Sequence, residues 1–199
     1  MGSRRSKRLS EKTVFKANGG RFVIKEAIDL VDGKRIKKIF RWYGNGGGGG
    51  SVVVIPVLDD NTLLLIRNYR PPMRERAGSQ NDGWVYELPG GKIENGEKVT
   101  HAAGRELEEE IGYKARRVRY LYKTLIAPWM ANSVNYVCVA TDLEKTKAML
   151  EDNEAIEVVK MNVNRIKKLL KEKEGILQDT GTREAILYWL YHFNGRKGI

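Results

Sequence analysis

The sequence predicts an α/β (α+β) domain on a mixed β-sheet, preceded by a small antiparallel β module. Three observations carry this. Strand-like and helix-like periodicities follow one another irregularly, which disfavours a regularly wound parallel fold. Two alternating stretches near the start flank Asp32-Gly33, a pair suited to a tight hairpin turn. A run of glycines, Gly44 and Gly46 to Gly50 around Asn45, then separates this hairpin from the rest of the chain. Such a run gives up much backbone freedom in any fixed conformation, so it predicts a flexible joint.

Taken in order, residues 1–12 include Arg4, Arg5, Lys7 and Arg8 and are read as a basic, disordered tail. Residues 13–43 form the hairpin module, with strands over Arg21–Asp29 and Arg35–Tyr43. Residues 44–51 are the linker, and residues 52–199 the main domain. There Val52–Leu58 and Thr62–Asn68 predict a second hairpin around Asp59-Asp60-Asn61. Residues 74–83 read as a loop and Trp84–Leu88 as a short strand ending at Pro89-Gly90-Gly91. From Lys98 to Ile111, apolar residues Val99, Ala102, Ala103, Leu107 and Ile111 recur at helical spacing, and Gly112 is a natural stop. Val118–Leu125, Asn135–Ala140 and Glu157–Met161 predict strands, and Asp142–Asp152 a short charged helix. Asn164–Lys173 and Thr182–Phe193 read as amphipathic helices, the second capped by Thr180 or Thr182.

Charge and composition narrow the function classes. The 199 residues hold 36 Lys+Arg against 25 Asp+Glu, a net charge of +11. The excess is local: residues 1–50 contain 13 basic and 4 acidic side chains, whereas the remainder is nearly balanced. A basic arm can neutralise phosphates, but no nucleic-acid-binding signature accompanies it. Apolar runs fall short of a bilayer span, and no charged-then-apolar leader pattern opens the chain. The expectation is therefore no membrane partner. One cysteine, Cys138, excludes a disulfide framework and fits a reducing, cytoplasmic setting. Two histidines, His101 and His192, argue against a histidine-based zinc site.

The predicted helix over 98–111 carries Glu106, Glu108, Glu109 and Glu110 within five residues. Glu106, Glu109 and Glu110 stand at i, i+3 and i+4 and so share a face. Like charges on one face repel, and helix stability has no use for them. A hard divalent cation with oxygen ligands turns the cluster into a site. Arg105 is placed to orient a carboxylate, and the Gly90-Gly91 turn exposes a backbone carbonyl near the helix start.

The spacing is specific. Gly91, five residues, Glu97, seven residues, then Arg105-Glu106-Leu107-Glu108-Glu109-Glu110-Ile111-Gly112-Tyr113 matches all seven fixed identities and both apolar positions of the Nudix box. The chain resembles the Nudix hydrolases, which cleave a nucleoside diphosphate linked to a further moiety. The resemblance implies the Nudix fold, a mixed β-sheet sandwiched by helices. It implies Mg2+ (or Mn2+) held by Glu106, Glu109, Glu110 and the Gly90 carbonyl, with Gly91, Glu97 and Arg105 supporting them. Arg67-Asn68-Tyr69-Arg70-Pro71-Pro72-Met73, Tyr86-Glu87-Leu88-Pro89-Gly90-Gly91, and Pro128 sixteen residues past Gly112 are similar to the ADP-ribose pyrophosphatase branch. That branch implies a homodimer exchanging the N-terminal module and a nucleoside diphosphate substrate.

By the same resemblance, Glu154 matches the catalytic glutamate, a base for the attacking water. Arg70 becomes a diphosphate contact through its planar guanidinium, and Glu87 meets the base or ribose. Phe22, Phe40 and Trp42 are candidate stacking partners for adenine. His101 matches no ligand position and reads as structural or exposed. The segment Trp129-Met130-Ala131-Asn132-Ser133 departs from the branch, in which a glycine and a glutamate are common. Two alternatives stay open: hydrolysis of a nucleotide sugar or NADH by the same machinery, and a weakly active nucleotide- or RNA-binding protein using the basic arm.

Overall fold

A computed structural model describes residues 6–17, 22–31, 34–42, 50–59, 61–70, 73, 83–150, 155–173 and 175–193. Three strands, β1 (Ser6–Ala17), β2 (Phe22–Val31) and β3 (Lys34–Trp42), form an antiparallel sheet in that order. The hairpin of the sequence reading is therefore one strand larger. Residues 6–12, expected in a disordered tail, belong to β1, where Ser6 pairs with Val31 and Ala17 with Phe22. Their charges find partners on neighbouring strands: Glu11 with Lys25 at 2.6 Å, and Glu26 with both Lys12 and Lys37. Sequence-distant pairing of this kind leaves no local trace.

The second sheet is mixed, with β4 (Gly50–Asp59), β5 (Thr62–Tyr69), β8 (Tyr113–Ile126), β9 (Ser133–Lys145) and β10 (Ile156–Asn162) in the order β10-β5-β4-β9-β8. The β4–β9 pair, from Gly50↔Val134 to Pro56↔Ala140, is parallel. β4 and β5 pair only near their turn, at Val57↔Leu63 and Asp59↔Thr62. Beyond it they splay, and two short strands fill the opening. β6 (Trp84–Glu87) joins β5, and β7 (Gly90–Lys92) joins β4 at Val53↔Gly90 and Val52↔Gly91.

Side chains alternate across this sheet, as the pleat requires. Val52, Val54, Leu64, Ile66, Cys138 and Ala140 pack under helix α1 (Val99–Ile111), with Ala102, Ala103, Leu107 and Ile111. Ile55, Leu63, Leu65, Val137 and Val139 pack on the other face against α2 (Val163–Leu169) and α3 (Thr180–His192). The sheet is sandwiched by helices, as expected.

Some boundaries differ from the sequence reading. The expected charged helix is absent among its described residues 142–150: β9 runs on to Lys145, with Asp142 itself at φ 53°. β8 begins directly after Gly112, five residues before the expected Val118. α2 stops at Leu169 rather than Lys173. The cap of α3 is Asp179, whose Oδ2 accepts from the Thr182 amide at 2.7 Å, and not Thr180 or Thr182. No helix among the described residues is long and apolar enough to cross a membrane.

Candidate active site

The wedge of β6 and β7 brings Gly90-Gly91 beneath α1. α1 ends where glycine is required: Gly112 has φ 66°, and its N–H reaches the Glu108 and Leu107 carbonyls. This stop lets β8 start at once beside the helix. The buried stripe of α1 includes one charged residue, Glu110, which is 5% exposed. Its Oε2 accepts a hydrogen bond from the Gly90 amide at 2.8 Å. A buried carboxylate is costly without such donors.

Arg105 is the hub of the remaining acids. Its Nε and Nη2 donate to the two oxygens of Glu97 at 3.1 and 3.2 Å. Its Nη1 donates to Glu106 at 2.9 Å and to Glu109 at 2.8 Å. Nη2 also meets the Lys92 carbonyl at 2.9 Å, which ties α1 to the end of β7. The sequence suggested that Arg105 orients one carboxylate; the structure gives it three. Hydrogen bonding to Glu97 is the foremost reason the guanidinium is stabilised in its charged form beyond an ordinary arginine. The same bond holds the Glu97 carboxyl below its usual range. Glu97 also accepts from the Glu94 amide at 3.0 Å.

Gly91 lies against Glu106, and a Cβ there would occupy the position of that carboxylate. A Cβ at Gly90 would strike the Val52 carbonyl. At Gly90 the close approach of backbone requires glycine, whereas at Gly91 it is the end of the Glu106 side chain that would have to move. Among the described residues no three acidic, histidine or cysteine side chains already converge on one point. Instead Glu106 and Glu109 accept from Arg105, and Glu110 from the Gly90 amide. The carboxylate oxygens of Glu106, Glu109 and Glu110 are donors of the kind a hard divalent cation prefers.

Arg70, just past β5, forms a bidentate pair with Glu87 at the end of β6: Nε to Oε1 at 3.0 Å and Nη2 to Oε2 at 2.6 Å. The two expected substrate contacts therefore hold each other. This pairing is the main reason the Arg70 guanidinium is raised above its ordinary value, with Glu110 and Asp179 adding to the effect. Glu154 lies outside the described residues. Its surroundings are anchored at both ends: Met149 donates its amide to the carbonyl of Glu109, and the carbonyl of Ala155 accepts from the Tyr69 amide at 3.1 Å. Phe22 is in β2, and Phe40 and Trp42 in β3; their side chains also lie outside the described part. His101 is exposed on α1. Cys138 is fully buried, and burial pushes its thiol up to about 12, which makes it inert.

The NUDIX domain family matches residues 49–180, about two thirds of the sequence, and the chain belongs to that family. Among curated relatives, it is 30% identical over 128 residues to an ADP-ribose pyrophosphatase of Bacillus subtilis (strain 168). It is 29% identical over 128 residues to a methanol dehydrogenase activator of Bacillus methanolicus. Each match covers 63% of this chain and 64% of the relative, so the chain spans a little under two thirds of either. A solved structure of an ADP compounds hydrolase shares the fold with a TM-score of 0.76 at 22% identity, covering 96% of this chain and 97% of that one.

Proposed function

We propose that the protein is a metal-dependent pyrophosphatase that hydrolyses the diphosphate of a nucleoside diphosphate derivative, with ADP-ribose giving AMP and ribose 5-phosphate. The observation that carries it is the complete box, folded so that Arg105, Gly90 and Gly91 order three glutamates on one helix face. The ADP-ribose pyrophosphatase and the ADP compounds hydrolase among the similar proteins support the substrate class.

Glu106, Glu109, Glu110 and the Gly90 carbonyl would hold Mg2+ (or Mn2+). In an extended residue, N–H and C=O leave the chain on the same side, so that carbonyl shares the side on which the Gly90 amide meets Glu110. When bound, the cation supplies charge neutralisation at the diphosphate and acidifies water. Glu154 takes the proton from the attacking water. The anchoring of its flanks on Glu109 and Tyr69 supports this role, because both anchors adjoin site residues. Arg70 contacts the diphosphate once it exchanges part of its bond to Glu87 for phosphoryl oxygens, and Glu87 is then available to the ribose or base. Phe22, Phe40 and Trp42 remain candidates for stacking on adenine. Water adds across one phosphoanhydride bond, and each product keeps one phosphate.

The N-terminal sheet exposes Phe15 and Ile39, each more than half exposed, together with Val14 and Leu9. This apolar surface supports a homodimer formed through the module; a monomer mass by light scattering would remove it. A buried, unreactive single thiol supports a cytoplasmic setting. The decisive experiment is Mg2+-dependent release of AMP from ADP-ribose, run beside a nucleotide sugar and NADH. The altered segment Trp129–Ser133, where Trp129 is 77% exposed, favours including those two. Faster turnover of either would replace ADP-ribose as the substrate, and no turnover of any with Mg2+ or Mn2+ would overturn the hydrolase reading.

A further inference from the structure

The segment between β6 and β7 has its polar backbone groups shared among three elements. The Leu88 amide donates to Thr182 Oγ1 of α3 at 2.9 Å. The Pro89 carbonyl accepts from the Val54 amide of β4 at 2.9 Å. The Gly90 amide donates to Glu110 of α1 at 2.8 Å. Leu88 lies between the last β5–β6 pair, Ile66↔Glu87, and the first β4–β7 pair, Val53↔Gly90, so its amide falls outside both ladders. Leu88 is 5% exposed and Thr182 1% exposed, so water does not compete for the bond. A hydroxyl from the opposite helix is the group that satisfies this amide.

Thr182 is itself held. Asp179 caps its amide, and the neighbouring Arg183 donates to the carbonyls of Leu177 at 2.7 Å and Leu170 at 2.9 Å. The first turn of α3 is thus fixed to the loop before it, and the Thr182 hydroxyl accepts from an amide two residues upstream of Gly90. An apolar residue of the same shape would pack as well in α3 but would leave the Leu88 amide without its acceptor.

We propose that Thr182 is a positioning residue for the metal-binding strand. Through Leu88 it sets the Gly90 carbonyl and, through the Gly90 amide, the Glu110 carboxylate in the arrangement a divalent cation requires. This rests on the proposed metal-dependent function. Residues that orient metal ligands without touching the ion alter affinity or activity by about 10–100-fold when removed, and that is the effect expected here.

The test compares Thr182→Val, which removes the acceptor at constant shape, with Thr182→Ser, which keeps it. Ile186→Val, a buried change on the same helix, serves as a control for lost packing. Mn2+ dissociation constants are read by electron paramagnetic resonance, beside kcat and the half-saturating Mg2+ concentration. Thr182→Val is expected to weaken Mn2+ binding about tenfold or more, with KM for substrate little changed. Thr182→Ser should restore binding, and Ile186→Val should lower the melting temperature alone. Mn2+ affinity in Thr182→Val equal to that of the wild type would overturn the role of Thr182. Should Thr182→Val not fold, hydrogen exchange of the wild-type Leu88 amide decides: slowing on Mg2+ addition supports the link, and indifference to Mg2+ refutes it. Wild-type protein that neither binds Mn2+ nor releases AMP would instead overturn the underlying function.

Discussion

The Glu106 carboxylate lies where a side chain at Gly91 would have to sit. A glycine on β7 and a glutamate on α1 are therefore packed as a single unit, and the fixed glycine of the motif has a steric reason. Gly91→Ala should push the Glu106 carboxylate aside, since it is the far end of a flexible side chain, without unfolding the sheet. The expected result is a fall in kcat of about 10–100-fold with a small change in melting temperature. Steady-state kinetics with a thermal melt checks both.

Glu109 and Glu110 separate charge from hydrogen bonding. Glu110→Gln retains an acceptor for the Gly90 amide while removing the charge, so the fold should persist and divalent cation binding should weaken sharply. Glu109→Gln should do the same, with its bond from Arg105 kept. Calorimetric titration with Mn2+ and assay of AMP release are the measurements. Intact turnover in either variant would break the assignment of that residue as a metal ligand.

Arg105 links stability to pH. Its hydrogen bonds lower the Glu97 carboxyl below the ordinary 4.5. A carboxylate with a depressed pKa adds stability that is fully present above its unfolded value and is lost as pH falls through the folded one. The melting temperature of the wild type should thus hold down to about pH 5 and decline below it. In Arg105→Met that acid-dependent component should shrink, while melting near neutral pH falls because Glu97, Glu106 and Glu109 lose their common donor. Thermal melts from pH 7 to pH 3 on both proteins test the difference in slope.

Glu154→Gln should leave Mn2+ affinity near that of the wild type and lower kcat by about 100-fold or more, the range for removing a positioned base. Unchanged turnover would transfer the proton-accepting role to another group.

The parts of this architecture that were legible in the sequence are those with short-range signals. α1 announced itself through apolar spacing and Gly112, and the shared face of Glu106, Glu109 and Glu110 followed from helix geometry. The β4–β5 turn likewise lay in adjacent residues. What stayed hidden depends on distant partners. β1 reads locally as a solvated basic run, because its pairing to β2 and the ion pairs of Glu11 with Lys25 and of Lys12 with Glu26 depend on the neighbouring strand. β7 is Gly90-Gly91-Lys92, a stretch with no strand propensity of its own, made extended by β4. Asp179, the cap of α3, stands close to Thr180 and Thr182, residues that also favour the cap position, so local sequence does not single it out. Thr182 carried only a faint signal, a threonine in register with the apolar stripe of Ala185, Ile186 and Trp189.

The separation along the chain of the groups that meet at Leu88–Gly91 has a consequence for synthesis. Ser51, beside the site strand, is hydrogen-bonded to Asn135, 84 residues later, and Leu88 to Thr182, 94 residues later. A growing chain contains the entire glutamate motif once Tyr113 has emerged, yet β4 still lacks its parallel partner and Leu88 its acceptor. Long-range closure of this kind comes late. The clamp on Leu88 therefore closes only after Thr182 has been made, and a chain cut before Thr180 would carry every box residue without it.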